Sequence, residues 1–227
     1  MVIVPYILRD FINDLDLSLP VLDISNDGTN TTITLSNIYH ARKGIIYDID
    51  GTDYMVISIN RANNTVIVGG VIPSAVTATI QTPFFDHDTP YGENNKLGQI
   101  PNAADKLPLI YLLEILRETR FNTPDAIVDT EADIRLFFLD QANVSDWMVQ
   151  DYYTNVIEGQ RNLLEYFIDQ LKLSGLIGEY TQDTIYNWKR FGVYQTSAGS
   201  TNSLFDEELS GVEWRVSLPI LKNLNCG

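Results

Sequence analysis

The segment FDHDTPYGE, residues 85–93, contains the side chains most suited to binding a cation. Asp86, His87 and Asp88 offer carboxylate oxygens and an imidazole nitrogen, and the two aspartates fall on one side of an extended segment. A metal-dependent hydrolase could be built around such a set. Because no second group of ligands is visible in the sequence, we favour a solvated acidic loop, and we predict neither a metal nor a cofactor.

Other catalytic motifs are weak. The chain has two histidines, His40 and His87, and neither lies in a nucleophile signature. The aspartates of residues 48–53, DIDGTD, resemble a calcium loop, but Asp-Gly favours a tight hairpin turn and the spacing fits that turn better. Glu207 and Glu208 could serve glycoside chemistry only with a carboxylate across a cleft. We therefore predict that the protein is not an enzyme.

The composition indicates a folded, acidic protein. Apolar residues make up 44% of the 227 residues, which is enough to bury a core. The formal charge of −15, from 30 acidic and 15 basic residues, repels nucleic acid phosphates and anionic membrane surfaces. We expect no membrane-spanning segment and no signal peptide. The single cysteine, Cys226, permits no disulfide within the chain, which is typical of proteins assembled in a reducing compartment.

Hydrophobic periodicity divides the chain into four expected segments. Residues 1–25 contain a helix, because their apolar side chains recur at helical spacing. Residues 26–85 contain short strands separated by turn sequences, which predict a small β-barrel or β-sandwich. Residues 86–105 have prolines, glycines and no periodicity, and we predict a linker loop there. Residues 106–227 are expected to form an α+β domain.

The elements of this last segment predict a small, mostly antiparallel sheet packed by two helices. The apolar run at 109–116 is interpreted as a buried helix, and the alternation at 132–141 as a strand. A long helix follows at 151–173, where glycines end it. Two further strands are expected at 186–195 and 212–220.

The succession of these elements over residues 106–221 resembles the tail-terminator and tail-completion proteins in the neck of tailed bacteriophages. The resemblance rests on LPLIYLLEIL, ADIRLFFL, YYTNVIEGQRNLLEYFIDQL, FGVY and FDEELSGVEWRVSLPI. In that family a small α+β domain forms a ring at the end of the tail tube, and docks on the neck above and the tube below. The β-rich segment 26–85 departs from the family.

The resemblance implies a structural virion protein that is assembled in the host cytoplasm and resides in the neck or tail. It would form a homo-oligomeric ring, contact other neck and tail proteins, and line a conduit through which duplex DNA passes without specific binding. No membrane contact is implied.

The last strand is the surface that we expect between copies. Its apolar and polar residues alternate, and it follows the polar loop 196–204. An exposed strand edge there could pair with a neighbour, and a closed ring needs such a heterologous interface. The residues expected at the interface are Phe205, Glu207, Glu208, Val212, Trp214 and Arg215.

Two other functions stay open. A carbohydrate- or receptor-binding module would use the aromatic residues of the β-rich segment and would bind glycans. A hydrolase built around Asp86, His87 and Asp88 would bind a divalent ion and lose its activity when these residues are replaced by alanine.

Overall fold

The chain forms two compact units. In the computed structural model, Leu15–Thr82 make up one unit, and Met1–Asp14 together with Pro83–Gly227 make up the other. The first helix, α1 (Val4–Asn13), therefore shares a unit with the C-terminal residues instead of standing apart. The residues that the structure describes are 4–38, 41–101, 106–114, 116–121, 128–143, 146–195, 197 and 201–221.

The unit Leu15–Thr82 is a closed antiparallel barrel, which confirms the prediction of a small barrel. Its strand order is β1-β2-β5-β4-β3-β6, so every strand has neighbours on both sides and no edge is free. Buried side chains such as Ile33 and Val66 fill the interior. The strands are β1 (Ser18–Asn26), β2 (Asn30–Leu35), β3 (Ile46–Ile49), β4 (Thr52–Asn60), β5 (Thr65–Gly69) and β6 (Thr77–Ile80).

Asp50 and Gly51 form the predicted tight turn between β3 and β4. Ile49 pairs with Thr52 across it, and the two central residues have φ angles of 51° and 81°, a left-handed conformation that glycine adopts without strain. The carboxylate of Asp48 accepts a hydrogen bond from the Gly51 amide at 2.7 Å. These aspartates therefore stabilise a hairpin and not a calcium loop.

The other unit is built on a six-stranded sheet with the order β11-β14-β10-β8-β7, in which β9 also pairs with β10. All pairs are antiparallel except β7 with β8, which confirms the α+β class and the mostly antiparallel sheet. Strands β12 and β13 form a separate hairpin. The strands are β7 (Phe84–Asp88), β8 (Leu109–Leu113), β9 (Arg117–Arg120), β10 (Val128–Gln141), β11 (Asp183–Phe191), β12 (Val193–Gln195), β13 (Thr201–Ser203) and β14 (Leu209–Leu221).

One face of this sheet is covered by the long helix that the sequence predicted. Helix α3 (Val149–Tyr152), a π-helical turn (Tyr153–Ile157) and α4 (Glu158–Leu173) follow one another without a break. The ring of Phe167 lies 5.4 Å from that of Phe138 on β10 and 6.1 Å from that of Trp214 on β14. Side chains alternate across a strand, so the even-numbered residues here face α4 and the odd-numbered ones face away.

Two predicted elements are wrong. The run at 109–116 was expected to be a helix, but Leu109–Leu113 form β8, because a short apolar run fits a strand buried on both faces as well as it fits a helix. The segment 86–105 was expected to be a linker, but it contains the end of β7 and helix α2 (Pro90–Gln99). Thr89 caps α2 by accepting a hydrogen bond from the Gly92 amide at 3.0 Å.

Strand β14 lies inside the sheet, so the expectation of an exposed edge at the last strand is wrong. It pairs with β10 along its length and with β11 on its other side. The alternation predicted for this strand is present, but alternation reports which faces are buried and says nothing about edges. The edge of the sheet beyond β14 is β11.

Candidate functional site

The predicted cation ligands lie where β7 meets α2, and a lysine neutralises them. The ammonium group of Lys96 lies 2.5 Å from a carboxylate oxygen of Asp86 and 3.0 Å from one of Asp88. Burial opposes ionisation of Asp86, but the neighbouring Glu93 side chain and the hydrogen bond from Lys96 hold its pKa below the usual range. The hydrogen bond from Lys96 likewise lowers the pKa of Asp88.

Glu93 is a buried acid beside this pair. Its side chain is 0% exposed, and burial together with the neighbouring Asp86 carboxylate raises its pKa to about 9. A pKa in that range favours the protonated, uncharged form of Glu93 at neutral pH. Neither of its oxygens has a hydrogen-bond partner within the described residues, and a neutral carboxyl group costs less to bury in that state than a carboxylate does.

His87 is the third predicted ligand, and it follows Asp86 on β7. It lines a cleft of about 370 Å³ together with Tyr6 and Arg9 of α1 and with Asp86. In the described parts of the chain, no group of three or more His, Cys, Asp or Glu side chains could hold a metal ion. The arrangement at β7 and α2 is thus an ion-paired cluster beside a buried carboxyl group, and Lys96 links the last turn of α2 to β7.

The sheet face opposite α4 has a covered half and an open half. In the covered half, α2 and the segment before β14 bury an apolar cluster that includes Leu97, Tyr111, Phe137 and Phe205. In the open half, polar and charged side chains line a depression of about 510 Å³. We name this open half the arginine face, and its members are Arg117, Asp133, Arg135, Thr184, Arg215 and Ser217.

Glu213 is a buried residue that binds two arginines of the arginine face. Its side chain is 0% exposed; it accepts hydrogen bonds from Arg135 Nε at 2.6 Å and Trp188 Nε1 at 2.9 Å, and also from the Arg215 guanidinium. Burial disfavours its ionised form, but these hydrogen bonds hold the pKa of Glu213 below its usual value. Arg135 and Arg215 are directly opposed across β10 and β14, and the Glu213 carboxylate offsets their repulsion.

The arginines are held in place and remain accessible. The Arg215 guanidinium lies 4.4 Å from the ring centroid of Tyr186, and that of Arg135 lies 5.5 Å from Phe137. The side chains of Arg135, Arg215 and Arg117 are 39%, 40% and 81% exposed. Each guanidinium carries five N–H donors, and Glu213 uses only some of those on two of them. This surface can bind carboxylate or phosphate groups.

The residues expected at an interface are scattered over the unit. Phe205, Val212 and Trp214 are buried within the chain, so their side chains are not presented to a neighbour. Val212 and Trp214 lie on the face of β14 that α4 covers, and Phe205 belongs to the apolar cluster on the other face. Glu207 forms an ion pair with the buried Lys106, and Glu208 is exposed. Of the six residues, only Arg215 belongs to the arginine face.

The sequence did not lead us to predict three residues that form the arginine face and its buried carboxylate, namely Arg117, Arg135 and Glu213. A signal for two of them is present in the sequence, since Arg135 and Glu213 alternate with apolar residues of strands that are buried on their other face. Which charged residues meet depends on strand order, and alternation does not give it. His40, Cys226 and part of the loop 196–204 lie outside the described residues.

Comparisons with known proteins give no relative from which a function could be transferred. No family model matches the chain, and no curated protein or solved structure matches it. Among the described residues, no helix has both the length and the apolar character needed to cross a membrane. A functional argument for this chain therefore depends on its own surfaces, above all on the arginine face.

Proposed function

We propose that this chain is a structural virion protein of a tailed bacteriophage. It forms a homo-oligomeric ring in the neck or tail, joins head-neck components to the tail and lines the DNA conduit. It is assembled in the host cytoplasm and works through contacts with its own copies and with neighbouring neck and tail proteins.

The observation that carries this proposal is the arginine face, an ordered and charged binding surface. Glu213, Tyr186 and Phe137 hold the guanidinium groups in fixed positions, which reduces the entropy that is lost when a partner binds. The chain carries twice as many acidic as basic residues, so other copies of it offer abundant carboxylates. Complementary surfaces on identical chains are what a closed ring requires.

The edge strand β11 gives further support. It stands at the end of the strand order, and its Tyr186 is exposed. A strand edge offers main-chain hydrogen bonds to a neighbouring protein. A tail-terminator-like packing of sheet and helices belongs to this proposal. The succession on which the resemblance rests runs through β8, β10, the long helix, β11 and β14, with a strand where a helix was expected.

Mass in solution tests the proposal. Light scattering across a concentration series, followed by electron-microscopy class averages, is expected to give a discrete annulus with a fixed number of copies. A single chain at every concentration, with no annulus on the grids, would overturn it.

A further inference from the structure

We propose that the arginine face of one copy binds the acidic outer surface of helix α4 of the next copy. This inference rests on the proposed ring, and it names the two surfaces that form the ring's repeating interface. The partner is thus a second copy of this chain, recognised by carboxylate groups that enter the arginine face.

The outer surface of α4 presents a row of carboxylates. Glu158, Glu165 and Asp169 are all exposed, and their spacing of seven and four residues places them along one stripe of the helix. Arg161 lies between Glu158 and Glu165 in this stripe, 3.9 Å from Glu165, and Lys172 follows Asp169 one turn later. Three carboxylates against two cations leave the stripe with a net negative charge, and no cation stands between Glu165 and Asp169.

The two surfaces lie on opposite sides of the two packed layers, which are helix α4 and the six-stranded sheet. Phe167 of α4 packs against Phe138 and Trp214, whereas Arg135 and Arg215 are on the odd-numbered, opposite face of the same strands. A contact between these surfaces of neighbouring copies is heterologous, because each copy uses one surface on each side. Repetition of such a contact closes a ring when the rotation between successive copies divides a full turn.

The spans of the two surfaces match. Arg215 opposes Arg135 on the neighbouring strand, and Arg117 opposes Asp133 one strand further along. With strands about 4.8 Å apart and residues about 3.4 Å apart, the backbone positions of Arg215 and Arg117 are separated by roughly 12 Å. Glu158 and Glu165 are separated by roughly 10 Å along α4, at about 1.5 Å per residue.

Carboxylates suit this surface better than the phosphates of nucleic acid. The planar guanidinium fork matches either group, but the remaining charge of a chain at −15 repels a polyanion as long as DNA. A second copy brings a short carboxylate row instead. Binding of duplex DNA by the arginine face would contradict this inference.

A charge reversal at Arg117 tests the arginine face. Arg117 is 81% exposed and meets Asp133 only at 3.9 Å, so Arg117→Glu should leave the fold intact, which circular dichroism checks. We expect the concentration needed for half-assembly to rise roughly tenfold or more, because a repulsive pair replaces an attractive one. Arg120→Glu is the matched control, since Arg120 lies on the same strand and faces the other side of the sheet.

A charge swap tests the α4 surface. Glu165→Arg alone should weaken assembly to a similar degree, and the chain carrying both Arg117→Glu and Glu165→Arg should recover most of it, because the opposite charges meet again across the interface. Recovery in the double variant is a result that general destabilisation would not produce.

The outcomes separate the two proposals. If the wild-type chain forms an annulus that Arg117→Glu and Glu165→Arg leave unchanged, the inference is wrong and the ring stands. If each variant weakens assembly but the double variant does not recover, α4 is not the partner and the inference is likewise wrong. Loss of duplex DNA binding in Arg117→Glu would assign the arginine face to phosphate. A wild-type chain that never assembles overturns the ring and this inference together.

Discussion

Glu213 is a buried carboxylate whose loss should cost more than a surface residue would. We expect Glu213→Gln to lower the free energy of unfolding by about 3 kcal/mol, since removing one partner of a buried ion pair leaves the others uncompensated. The two opposed arginines would then repel each other without an anion between them. Urea denaturation measures the change. Arg117→Gln is the control and should stay within about 0.5 kcal/mol of the wild type.

The Glu213 carboxylate should also make the free energy of unfolding depend on pH in the acidic range. Its pKa in the folded chain lies below the usual value, so its contribution is present above the unfolded pKa and is lost as pH falls through the folded one. Between pH 5 and lower values the wild type should therefore lose more stability than Glu213→Gln. Parallel acid profiles of the two proteins would contradict this prediction.

Glu93 should have the opposite pH dependence. Its folded pKa of about 9 lies above its ordinary value of 4.5, so the folded state binds one more proton than the unfolded state between these values. Stability should fall as pH rises through this window, by at most about 1.4 kcal/mol per pH unit. Glu93→Gln keeps the size and shape of the side chain without titrating, so the unfolding free energy of this variant should show a smaller slope from pH 6 to 8.5. Equal slopes would show that Glu93 is ionised in the folded chain.

Among the elements, the β3–β4 hairpin depends on one glycine. Gly51 has a φ of 81° and free space around it, so Gly51→Ala should destabilise the chain by about 1 kcal/mol through backbone strain alone. Gly98 in α2 also has open space but no positive φ. Gly98→Ala should therefore stabilise by roughly 0.5 to 1 kcal/mol, as alanine does in helices. Thermal unfolding of both variants checks the signs, and two changes of the same sign would contradict the argument.

Local sequence was enough to predict the elements whose residue pattern is typical of only one kind of secondary structure. Asp50-Gly51 marks a turn, the alternation at 132–141 marks β10, and the helical spacing at 151–173 marks the long helix. The prediction for segment 109–116 failed because every residue except Glu114 is apolar, and an apolar run has no period that separates a strand from a helix. Helix α2 was not predicted for the opposite reason. Leu97 is its one buried apolar residue, and a single residue cannot give the hydrophobic period of a helix.

The arginine face could be predicted only in part. Glu213 and Arg215 flank Trp214, and this alternation indicates that both occupy the face opposite the tryptophan. That Arg135 and Arg117 join them follows from β14 and β9 both pairing with β10. Such pairings depend on long-range packing, and a single sequence gives no direct sign of them.

At the scale of the whole molecule, the net charge predicts weak affinity for DNA. A labelled DNA duplex should show no change in fluorescence anisotropy with added protein at about 0.15 M salt, nor at about 0.02 M, where attraction to phosphates would be strongest. The reason is that a net charge of −15 outweighs one local group of arginines. Binding that weakens as salt is added would contradict the prediction.

The barrel interrupts the chain of the other unit without contributing a strand to its sheet. The chain leaves that unit after Asp14 and re-enters it at Pro83. A gene could therefore gain, exchange or shed this module at a single pair of junctions while every strand pairing of the six-stranded sheet kept its register. Lineages with the same sheet and with no barrel, or with an unrelated graft at that position, are the natural consequence of this topology.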